Sequence, residues 1–514
     1  MYREAAMVDA TGPGPVLPSG ETDPRAGHPW RALWAMILGF FMILLDSTIV
    51  SVATPHIMRD LQADISQVIW VTSAYLLAFA VPLLLTGRLG DRFGPRRVFL
   101  VGLVVFIGSS LWCGLAGNIE GLIIARIAQG LGASAMSPQP MTLITRLFPP
   151  ERRGAAMGVW GSVAGVAVLV GPLLGGVLTD IAGWSWIFFI NVPVGVVAFV
   201  LTVRLAPRLT THAHSFDWLG IALSGIGLFL IVYGLQEGQS HQWGALWGPI
   251  QVWQVIAAGV VVMAAFVFWQ SRNTGEPLLP LNLFRDRNFT LANVNIALTG
   301  AAITAQTFPI MLFTQSVLGY SPTVAALTMA PMAVVQIILA PQVGRMLNRI
   351  SPGWFVLVGA ALQAVAVFGY AALSHADTRF WQLLIPSAIQ GVGGACFWGP
   401  NSVTTTRNLP REMAGAGSGV YNATRQLGAV IGSAAIAAMM EARLAVHLPG
   451  VPAQVGEGGG RIPPALAEPF SRGMGESLLL PGVLLTLVAV IALFYARPGA
   501  LRTPAPAAGP PVSA

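Results

Sequence analysis

The chain has 514 residues, of which 54% are hydrophobic and only 10% are charged. A soluble domain carries about 25% charged residues, so this composition excludes an ordinary soluble protein and predicts a polytopic membrane protein. The net charge of +7 does not indicate nucleic-acid binding, because the basic residues, all of them arginine, are spread over loops between apolar stretches.

Fourteen windows of about 20 mainly apolar residues predict transmembrane helices. They are 33–55, 67–87, 97–117, 122–143, 155–180, 186–206, 216–236, 251–271, 290–314, 322–344, 353–373, 380–405, 413–440 and 476–496. We therefore predict an all-α membrane protein with a disordered cytoplasmic tail at 1–30 and a second cytoplasmic tail at 498–514. The long connection at about 441–475 is rich in Gly and Pro, and we expect it to be mobile.

Arginine is concentrated in alternate connections, which follow the second, fourth, sixth, eighth, tenth and twelfth windows. The residues are Arg88, Arg92, Arg96, Arg97, Arg146, Arg152, Arg153, Arg204, Arg208, Arg285, Arg287, Arg345, Arg349, Arg407 and Arg411. The positive-inside rule then predicts that both termini are cytoplasmic and that the protein spans the plasma (inner) membrane many times.

Two polar segments recur in the chain. GRLGDRFGPRR (87–97) matches GRMLNRISPGW (344–354) at a separation of 257 residues. FPPERRGAAMGV (148–159) matches LPREMAGAGSGV (409–420) at a separation of 261. Because the Gly and polar positions stay in step, the sequence predicts two related halves with a transport pathway on the axis between them.

The repeat also predicts the domain boundaries. We expect an N-terminal six-helix bundle at 31–208 and a C-terminal six-helix bundle at 289–497. Two further transmembrane helices are inserted between them, at 209–288.

Five motifs resemble those of the major facilitator superfamily, specifically its fourteen-helix drug:proton antiporters of the EmrB/QacA type. They are LDSTIVSVATP (45–55), GRLGDRFGPRR (87–97), LIIARIAQGLGA (122–133), GVAVLVGPLLGG (165–176) and WSWIFFINVPVG (184–195), the last with Ser185 where the family usually has Arg. The resemblance covers about residues 31–497. It implies a major facilitator fold and proton-driven export, and it does not identify the cargo.

The first window contains one carboxylate, Asp46, among apolar residues. A charged side chain at the bilayer centre costs about 2.5–3.5 kcal/mol even on a lenient scale, so a span that keeps one is a candidate functional site. Asp46 shares a helical face with Ile49, Val50 and Ala53, and if that face lines a cavity the carboxyl can carry a proton. The alternative is a static carboxylate bonded to neighbouring backbone or to Ser47.

The fourth window contains Arg126, with Gln129 one turn later on the same face. An arginine does not release its proton but can pair with a carboxylate. The resemblance implies a role for Arg126 in proton coupling beside Asp46. A structural arginine that holds backbone carbonyls at a membrane boundary is the alternative.

The resemblance also implies that the loop at 87–97 latches the two halves together on the cytoplasmic side. The predicted gate residues are Gly87, Arg88, Asp91, Arg92, Gly94 and Arg96. At the repeat position Asp91 is replaced by Asn348, which argues that the latch lies in the N-terminal half. The alternative is a solvated basic loop that only sets topology.

In the fifth window, Gly161 and Gly165 and then Gly171 and Gly175 form two pairs that allow close helix approach, and Pro172 interrupts the helix. The resemblance associates this stretch with antiport. The antiport motif residues are Gly165, Gly171, Pro172, Gly175 and Gly176. These residues could flex the outer half of the pathway, or they could serve ordinary helix packing.

The C-terminal half contains one buried charge, Arg425, whose repeat partner is Ala164, and it has no Asp or Glu in the middle of a predicted span. Arg425 could contact the cargo or a carboxylate, or it could be structural. The candidate cavity residues are Gln129, Gln306, Phe308, Tyr421, Asn422 and Arg425. A glutamine in a span also commonly bonds a neighbouring helix.

We therefore predict a proton-coupled exporter of amphipathic drugs or toxic compounds that works by alternating access. A dedicated exporter of one endogenous product, such as an antibiotic, lipid or amino acid, would carry the same motifs. No enzyme is expected, because the sequence has neither a GxxxxGK phosphate loop nor metal-spaced His and Cys, so we predict no cofactor and no metal. The expected partners are the small-molecule substrate, protons and the lipid bilayer, with the protein a monomer. A requirement for a periplasmic adaptor is left open.

Overall fold

The computed structural model describes residues 28–63, 65–209, 211, 217–241, 243–273, 277–347, 349–409, 413–448 and 462–495. Almost all of them are helical. The helices are α1 (Pro29–Asp60), α2 (Ile65–Ala80), α3 (Leu83–Phe93), α4 (Pro95–Gly114), α5 (Ile119–Met136), α6 (Gln139–Leu147), α7 (Pro150–Ala182), α8 (Trp186–Phe189), α9 (Asn191–Leu205), α10 (Trp218–Ser240), α11 (Val252–Arg272), α12 (Arg287–Leu312), α13 (Pro322–Leu327), α14 (Ala330–Met346), α15 (Pro352–Ala372), α16 (Phe380–Thr406), α17 (Ala414–His447), α18 (Pro464–Ser477) and α19 (Leu479–Ala492).

Three short elements complete the described part of the chain. Strands β1 (Ala245–Trp247) and β2 (Ile250–Gln251) pair antiparallel between α10 and α11. A 3-10 turn at Leu281–Arg285 precedes α12, and a π-helical turn at Phe313–Val317 follows it. We call α10, β1, β2 and α11 together the inserted hairpin.

Each of the fourteen predicted windows is helical in the described residues. Ten helical spans in that part of the chain are long and apolar enough to cross a membrane, and the bent pair α2–α3 makes an eleventh. The bend between α2 and α3 is 46°. It occurs at Pro82, because a proline has no N–H to continue the helical ladder. The remaining windows correspond to α5–α6, α7 and α16, and of these α5 and α16 contain buried polar side chains such as Arg126 and Gln390.

The prediction of a long mobile connection at 441–475 is wrong at both ends. Helix α17 continues to His447, and α18 begins at Pro464. Phe470 and Met474 are one turn apart on α18 and are buried against Leu444 of α17. The Gly- and Pro-rich composition of this stretch did not predict the apolar face of α18. Residues 449–461 lie outside the described part of the chain.

The sequence repeat is also a repeat of contacts. A Cβ atom on Gly130 of α5 would lie 2.5 Å from the carbonyl oxygen of Tyr75, and one on Gly391 of α16 would lie 2.5 Å from that of Met332. The two glycines are separated by 261 residues and their two partners by 257, the separations of the sequence motifs. Equivalent residues therefore make equivalent helix contacts in the two halves.

The same repeat relates two contacts between the halves. A Cβ on Gly87 of α3 would lie 2.5 Å from the carbonyl oxygen of Gly415 in α17. A Cβ on Gly344 of α14 would lie 2.7 Å from the carbonyl oxygen of Gly154 in α7. Both contacts lie beside the arginine-bearing connections, and we call this end of the protein the arginine-rich end. It is closed by close backbone packing in this conformation.

The inserted hairpin lies against both halves. Tyr233 of α10 stacks on Phe229, and its ring lies 5.7 Å from that of Trp70 in α2. The same apolar cluster contains Leu77 of α2 and Val430 of α17. The hairpin therefore covers a line along which helices of the two halves meet.

Candidate functional site

The two charges that the sequence predicts inside the N-terminal half form an ion pair. Arg126 Nη1 of α5 lies 2.5 Å from Asp46 Oδ2 of α1, and both side chains are fully buried. Since each ion has left water, the pair must be held by further hydrogen bonds. The structure supplies these from Gln129 of α5 itself and from the helices α2 and α9.

Neutral donors complete the shell of Asp46. Gln129 Nε2 donates to Asp46 Oδ1 at 2.9 Å, and Asn191 Nδ2 of α9 donates to the same oxygen at 3.2 Å. Both amides also donate to Ser110 Oγ of α4, at 3.2 and 3.0 Å. The Ser110 hydroxyl in turn donates to the carbonyl of Phe188. The carboxylate is therefore surrounded by donors and fully buried.

Arg126 is held just as closely. Its Nε donates to the carbonyl of Val71 at 3.0 Å, and its Nη1 also donates to Gln129 Oε1 at 2.7 Å. The guanidinium lies 4.1 Å from the ring centroid of Tyr75 and 5.7 Å from that of Phe188, so it makes cation–π contacts on two sides. Its Nη2 is buried and has no hydrogen-bond partner among the described residues.

This geometry bears on two possibilities that the sequence left open for Asp46. Ile49, Val50 and Ala53 are at most 1% exposed, so the face they share with Asp46 is packed and lines no open cavity in this conformation. Ser47 is not a partner of the carboxylate, because its hydroxyl donates to the carbonyl of Leu44. Arg126 is a better partner for a buried anion than a serine hydroxyl.

Sequence reasoning missed Tyr75, Ser110 and Asn191. Each is an uncharged residue in an apolar stretch, a pattern that many structural positions share. Asn191 lies inside the quoted WSWIFFINVPVG motif, at the first position of α9, where an amide in an otherwise apolar segment was the available signal.

The predicted gate residue Asp91 links the two halves at the arginine-rich end. Its Oδ1 and Oδ2 accept the backbone N–H groups of Gly415 and Ala416 at 2.9 and 2.8 Å, at the start of α17. Arg146 Nη2 lies 2.6 Å from Asp91 Oδ1. An anion at a helix N-terminus is favourable because it satisfies free N–H groups. Asp91 therefore fastens α3 to α17.

The other predicted gate residues have different partners. Gly94 has φ +88°, a conformation that favours glycine, at the turn from α3 to α4. Arg96 donates to the carbonyl of Val203 in α9 at 2.6 Å, and Arg92 lies 5.4 Å from the ring of Phe93. These contacts shape the loop and fasten it to the N-terminal half.

Arg88 connects α3 to the segment that leads from the inserted hairpin into α12. Its Nε donates to the carbonyl of Leu278 at 3.0 Å, and its Nη2 donates to that of Pro277. The N–H of Leu279 donates to Gln270 Oε1 of α11 at 3.1 Å. We call residues 277–280 the hairpin exit segment. It is bound to α3 on one side and to α11 on the other.

Asp217, just before α10, secures the start of the hairpin to its end. Its Oδ1 accepts the N–H of Gly220 and the indole N–H of Trp269, both at 2.9 Å. Its Oδ2 accepts Gln270 Nε2 at 2.6 Å. Gln270 thus holds both Asp217 and the hairpin exit segment.

The predicted antiport residues lie on α7, which contacts both halves. Gly171 faces the side chain of Thr48, and Gly175 faces Ile49, both in α1. Gly176 lies near Thr323 of α13. Gly165 and Pro172 belong to α7, but their immediate surroundings lie outside the described part of the structure.

The predicted cavity residues do not form one cluster. Gln129 belongs to the Asp46 network, and Gln306 is 5% exposed with an unpartnered Oε1 among the described residues. Phe308 is 57% exposed. The Tyr421 hydroxyl accepts from Ser402 at 3.2 Å, inside the C-terminal half.

Asn422 and Arg425 lie farther along the same helix as Tyr421. Asn422 Oδ1 accepts from the hydroxyl of Ser137 at 3.4 Å and so reaches the N-terminal half. Arg425 is partly buried. Its side chain makes no ion pair or hydrogen bond with any residue of known placement in the structure.

Two related helix bundles, with a buried ion pair in one and a closed contact between them at one end, define a membrane transporter. A family model described as Major Facilitator Superfamily matches residues 36–433. The chain belongs to this superfamily, and the predicted resemblance and all-α membrane fold are confirmed.

Several relatives cover most of the chain. It is 50% identical over 473 residues to an uncharacterized MFS-type transporter, Rv1250, of Mycobacterium tuberculosis, covering 91% of this chain and 81% of that protein. It is 34% identical to the tetracenomycin C resistance and export protein of Streptomyces glaucescens, covering 91% and 92%. It is 32% identical to the multidrug export protein EmrB of Escherichia coli, covering 80% of each.

A solved structure of the proton:xylose symporter XylE is similar with a TM-score of 0.62, at 15% identity, over 92% of this chain and 97% of that one. At this identity the likeness concerns the fold alone.

Proposed function

We propose that this chain is a proton-coupled antiporter that exports amphipathic compounds by alternating access. The export proteins among its relatives support this function, and the buried Asp46–Arg126 pair is the observation that carries the coupling. A carboxylate whose partners are all inside the protein can take up a proton only when the protein rearranges. Protonation and conformation are then linked.

The energetics favour such a carrier. One elementary charge that crosses 100 mV gains about 2.3 kcal/mol, and a tenfold proton gradient adds about 1.4 kcal/mol. A neutral Asp46 no longer attracts Arg126, so Arg126, Gln129 and Asn191 lose the anion around which they are arranged. The proton thus removes the charge that organises these three side chains of the N-terminal half.

A chain of contacts supports transmission from this pair to the interface between the halves. Thr48, two residues after Asp46, donates to the carbonyl of Ala167 in α7 at 3.3 Å. Toward its other end, α7 packs through Gly154 against Gly344 of the opposite half. A shift of α1 on protonation would therefore move the helix that closes the arginine-rich end.

In this proposal the arginine-rich end is cytoplasmic, by the positive-inside rule, and the membrane is the plasma membrane. The substrate enters from the cytoplasm or the inner leaflet after the Asp91 contact opens. It leaves on the other side while a proton returns.

A second candidate is a dedicated exporter of one endogenous product. Two relatives favour it, the tetracenomycin C resistance and export protein and a probable actinorhodin transporter of Streptomyces coelicolor, the latter 33% identical. If deletion of the gene abolishes secretion of one compound and leaves drug sensitivity unchanged, the dedicated exporter is the correct function.

The coupling is tested in everted membrane vesicles that contain the full chain. Addition of substrate should evoke proton movement in the wild type and none in Asp46→Asn. The matched control is Asp60→Asn, an exposed carboxylate at the end of the same helix. A substrate-evoked pH change that survives intact in Asp46→Asn would eliminate this mechanism.

A further inference from the structure

The position of Arg425 places a fixed charge deep in the membrane. Helix α17 begins at Ala414 at the arginine-rich end, and Arg425 lies eleven residues later. At 1.5 Å per residue this is about 16 Å along the helix, near the middle of a hydrocarbon core about 30 Å thick. Since an arginine stays protonated, its charge is permanent.

The turn of α17 that precedes Arg425 meets the other half, while the backbone of Arg425 itself packs on its own half. Asn422 is one turn earlier on the same face and meets Ser137 of the N-terminal half. The backbone carbonyl of Arg425 packs on Gly300 of α12. Arg425 therefore lies one turn beyond a contact between the two halves, counted from the closed end.

No carboxylate of known placement compensates Arg425. Asp46 is occupied by Arg126 and the two amides that surround it. The described acids of the C-terminal half lie at helix ends or in loops, where Glu468 meets His375 and Arg472, and Glu476 meets Arg443 and His447. Asp377 and Glu441 are exposed.

A second unused donor lies nearby on α7. The indole Nε1 of Trp160 has no hydrogen-bond partner among the described residues, although Trp160 is only 3% exposed. Its ring lies 6.3 Å from that of Tyr421, which is one turn before Arg425, and 5.3 Å from that of Phe40 in α1. The three rings cross from one half to the other, and the last of them, Tyr421, is one helical turn from Arg425.

We propose that Arg425 and the Trp160 N–H bind an acidic group on the cargo, a carboxylate, sulfonate or phenolate, while the Phe40–Trp160–Tyr421 rings contact its apolar part. The exported compounds are then amphipathic organic anions. This inference rests on the proposed export function and names its substrate class. A cation and an N–H without an acceptor suit an anion, and both would repel a cationic drug.

The proposal has an electrical consequence. When a monoanion leaves and one proton enters, two charges move in the direction that an inside-negative potential favours. When a monocation leaves and one proton enters, no net charge moves. Export of the cargo of this protein is therefore expected to accelerate when a membrane potential is imposed.

The test uses the purified full chain in proteoliposomes with two fluorescent probes, monoanionic 8-anilinonaphthalene-1-sulfonate and monocationic ethidium. Binding of each probe is measured in detergent, and transport is measured with and without a potassium diffusion potential. We expect the wild type to prefer the sulfonate. Arg425→Gln should weaken its binding at least tenfold, Arg425→Lys should retain part of it, and Trp160→Phe should weaken it several-fold.

Arg443→Gln is the matched control, because Arg443 lies on the same helix but pairs with Glu476 and is 42% exposed. Preference for ethidium, or unchanged sulfonate binding in Arg425→Gln, overturns the proposal. If Arg425→Gln does not fold, the Lys and Phe variants decide the question. The two proposals fail separately, since proton movement in Asp46→Asn tests the coupling, whereas the probe preference of the wild type and its loss in Arg425→Gln test the substrate class.

Discussion

Asp91 and Gly415 are separated by 324 residues, yet the carboxylate of the first accepts the backbone N–H of the second at 2.9 Å. The bond joins helix α3 of one half to the first turn of α17 in the other. Arg146 neutralises the charge of Asp91, so this carboxylate both caps the N-terminus of α17 and forms an ion pair. The position related to Asp91 by the repeat is Asn348, which lies outside the described residues.

Asp91→Asn should loosen the closed end. Hydrogen bonds to a charged group contribute about 1.5–3 kcal/mol, so loss of the charge should shift the gate toward the open state by about tenfold or more. The readout is alkylation, from the arginine-rich side, of a cysteine placed at the buried Ser418 in a Cys113→Ser, Cys396→Ala background. Asp286→Asn is the control, because Asp286 caps α12 and contacts Asn408 without crossing between halves. Equal alkylation of wild type and Asp91→Asn would contradict the role of this bond.

Gly87→Ala should prevent α3 and α17 from closing the arginine-rich end, because the added methyl group sterically blocks their contact. The added methyl would meet the Gly415 carbonyl at 2.5 Å, a backbone atom that cannot rotate away. Overpacking of this kind costs about 1–3 kcal/mol. We expect faster alkylation at the same probe position and transport reduced by about tenfold. Gly108→Ala is the matched control, since nothing lies within 4 Å of a Cβ there. Normal transport by Gly87→Ala would show that the close approach is not needed.

Asp46→Asn should destabilise the protein as well as uncouple it. Removal of one partner from a buried ion pair costs about 3–5 kcal/mol, because the remaining charge stays buried. Addition of Arg126→Gln should restore most of the thermal stability without restoring proton movement. The measurement is thermal unfolding in detergent beside the vesicle assay. A double variant as unstable as the single one would mean that the two charges do not act as a pair.

Asp217→Asn should weaken the inserted hairpin by about 1 kcal/mol at neutral pH, through the loss of a charged acceptor. Burial raises the pKa of this carboxyl, but hydrogen bonds from Trp269, Gly220 and Gln270 outweigh it and bring the pKa below its usual value. The ionised form is therefore favoured by folding, and its contribution is lost only as the pH falls through that lowered pKa.

The difference in unfolding temperature between wild type and Asp217→Asn should therefore be constant from pH 7 to pH 5 and should disappear only in stronger acid. Asp377→Asn, an exposed loop carboxylate, provides the control. A difference that is already lost near neutral pH would contradict the hydrogen-bonded role of Asp217.

The sequence predicted the parts of the site that carry charge. Asp46 and Arg126 stand out because an ion is costly in an apolar span, and the structure places them in contact. Ser110 and Asn191 could not be predicted, since neutral polar residues occur in many spans. Which of them reaches Asp46 depends on how α4 and α9 pack, and this is not encoded in local periodicity.

The spacing of glycines predicted the relation between the two halves more accurately than the apolar windows predicted the ends of the helices. The repeated segments that predicted the two halves contain Gly87 and Gly344, and each of these glycines admits a neighbouring backbone at the equivalent place. The apolar windows located the spans but not the break at Pro82 or the helices at the ends of 441–475. These depend on tertiary packing, such as that of Phe470 on Leu444.

The hairpin exit segment has a consequence for how the protein moves. Arg88 travels with the first half, while Pro277 and Leu278 lead directly into the second. Parting of the two halves must therefore break these carbonyl contacts or drag α11 along. In the proposed alternating-access cycle, the extra pair of helices would act as a restraint that couples the rocking of the bundles to the peptide joining them and limits its amplitude.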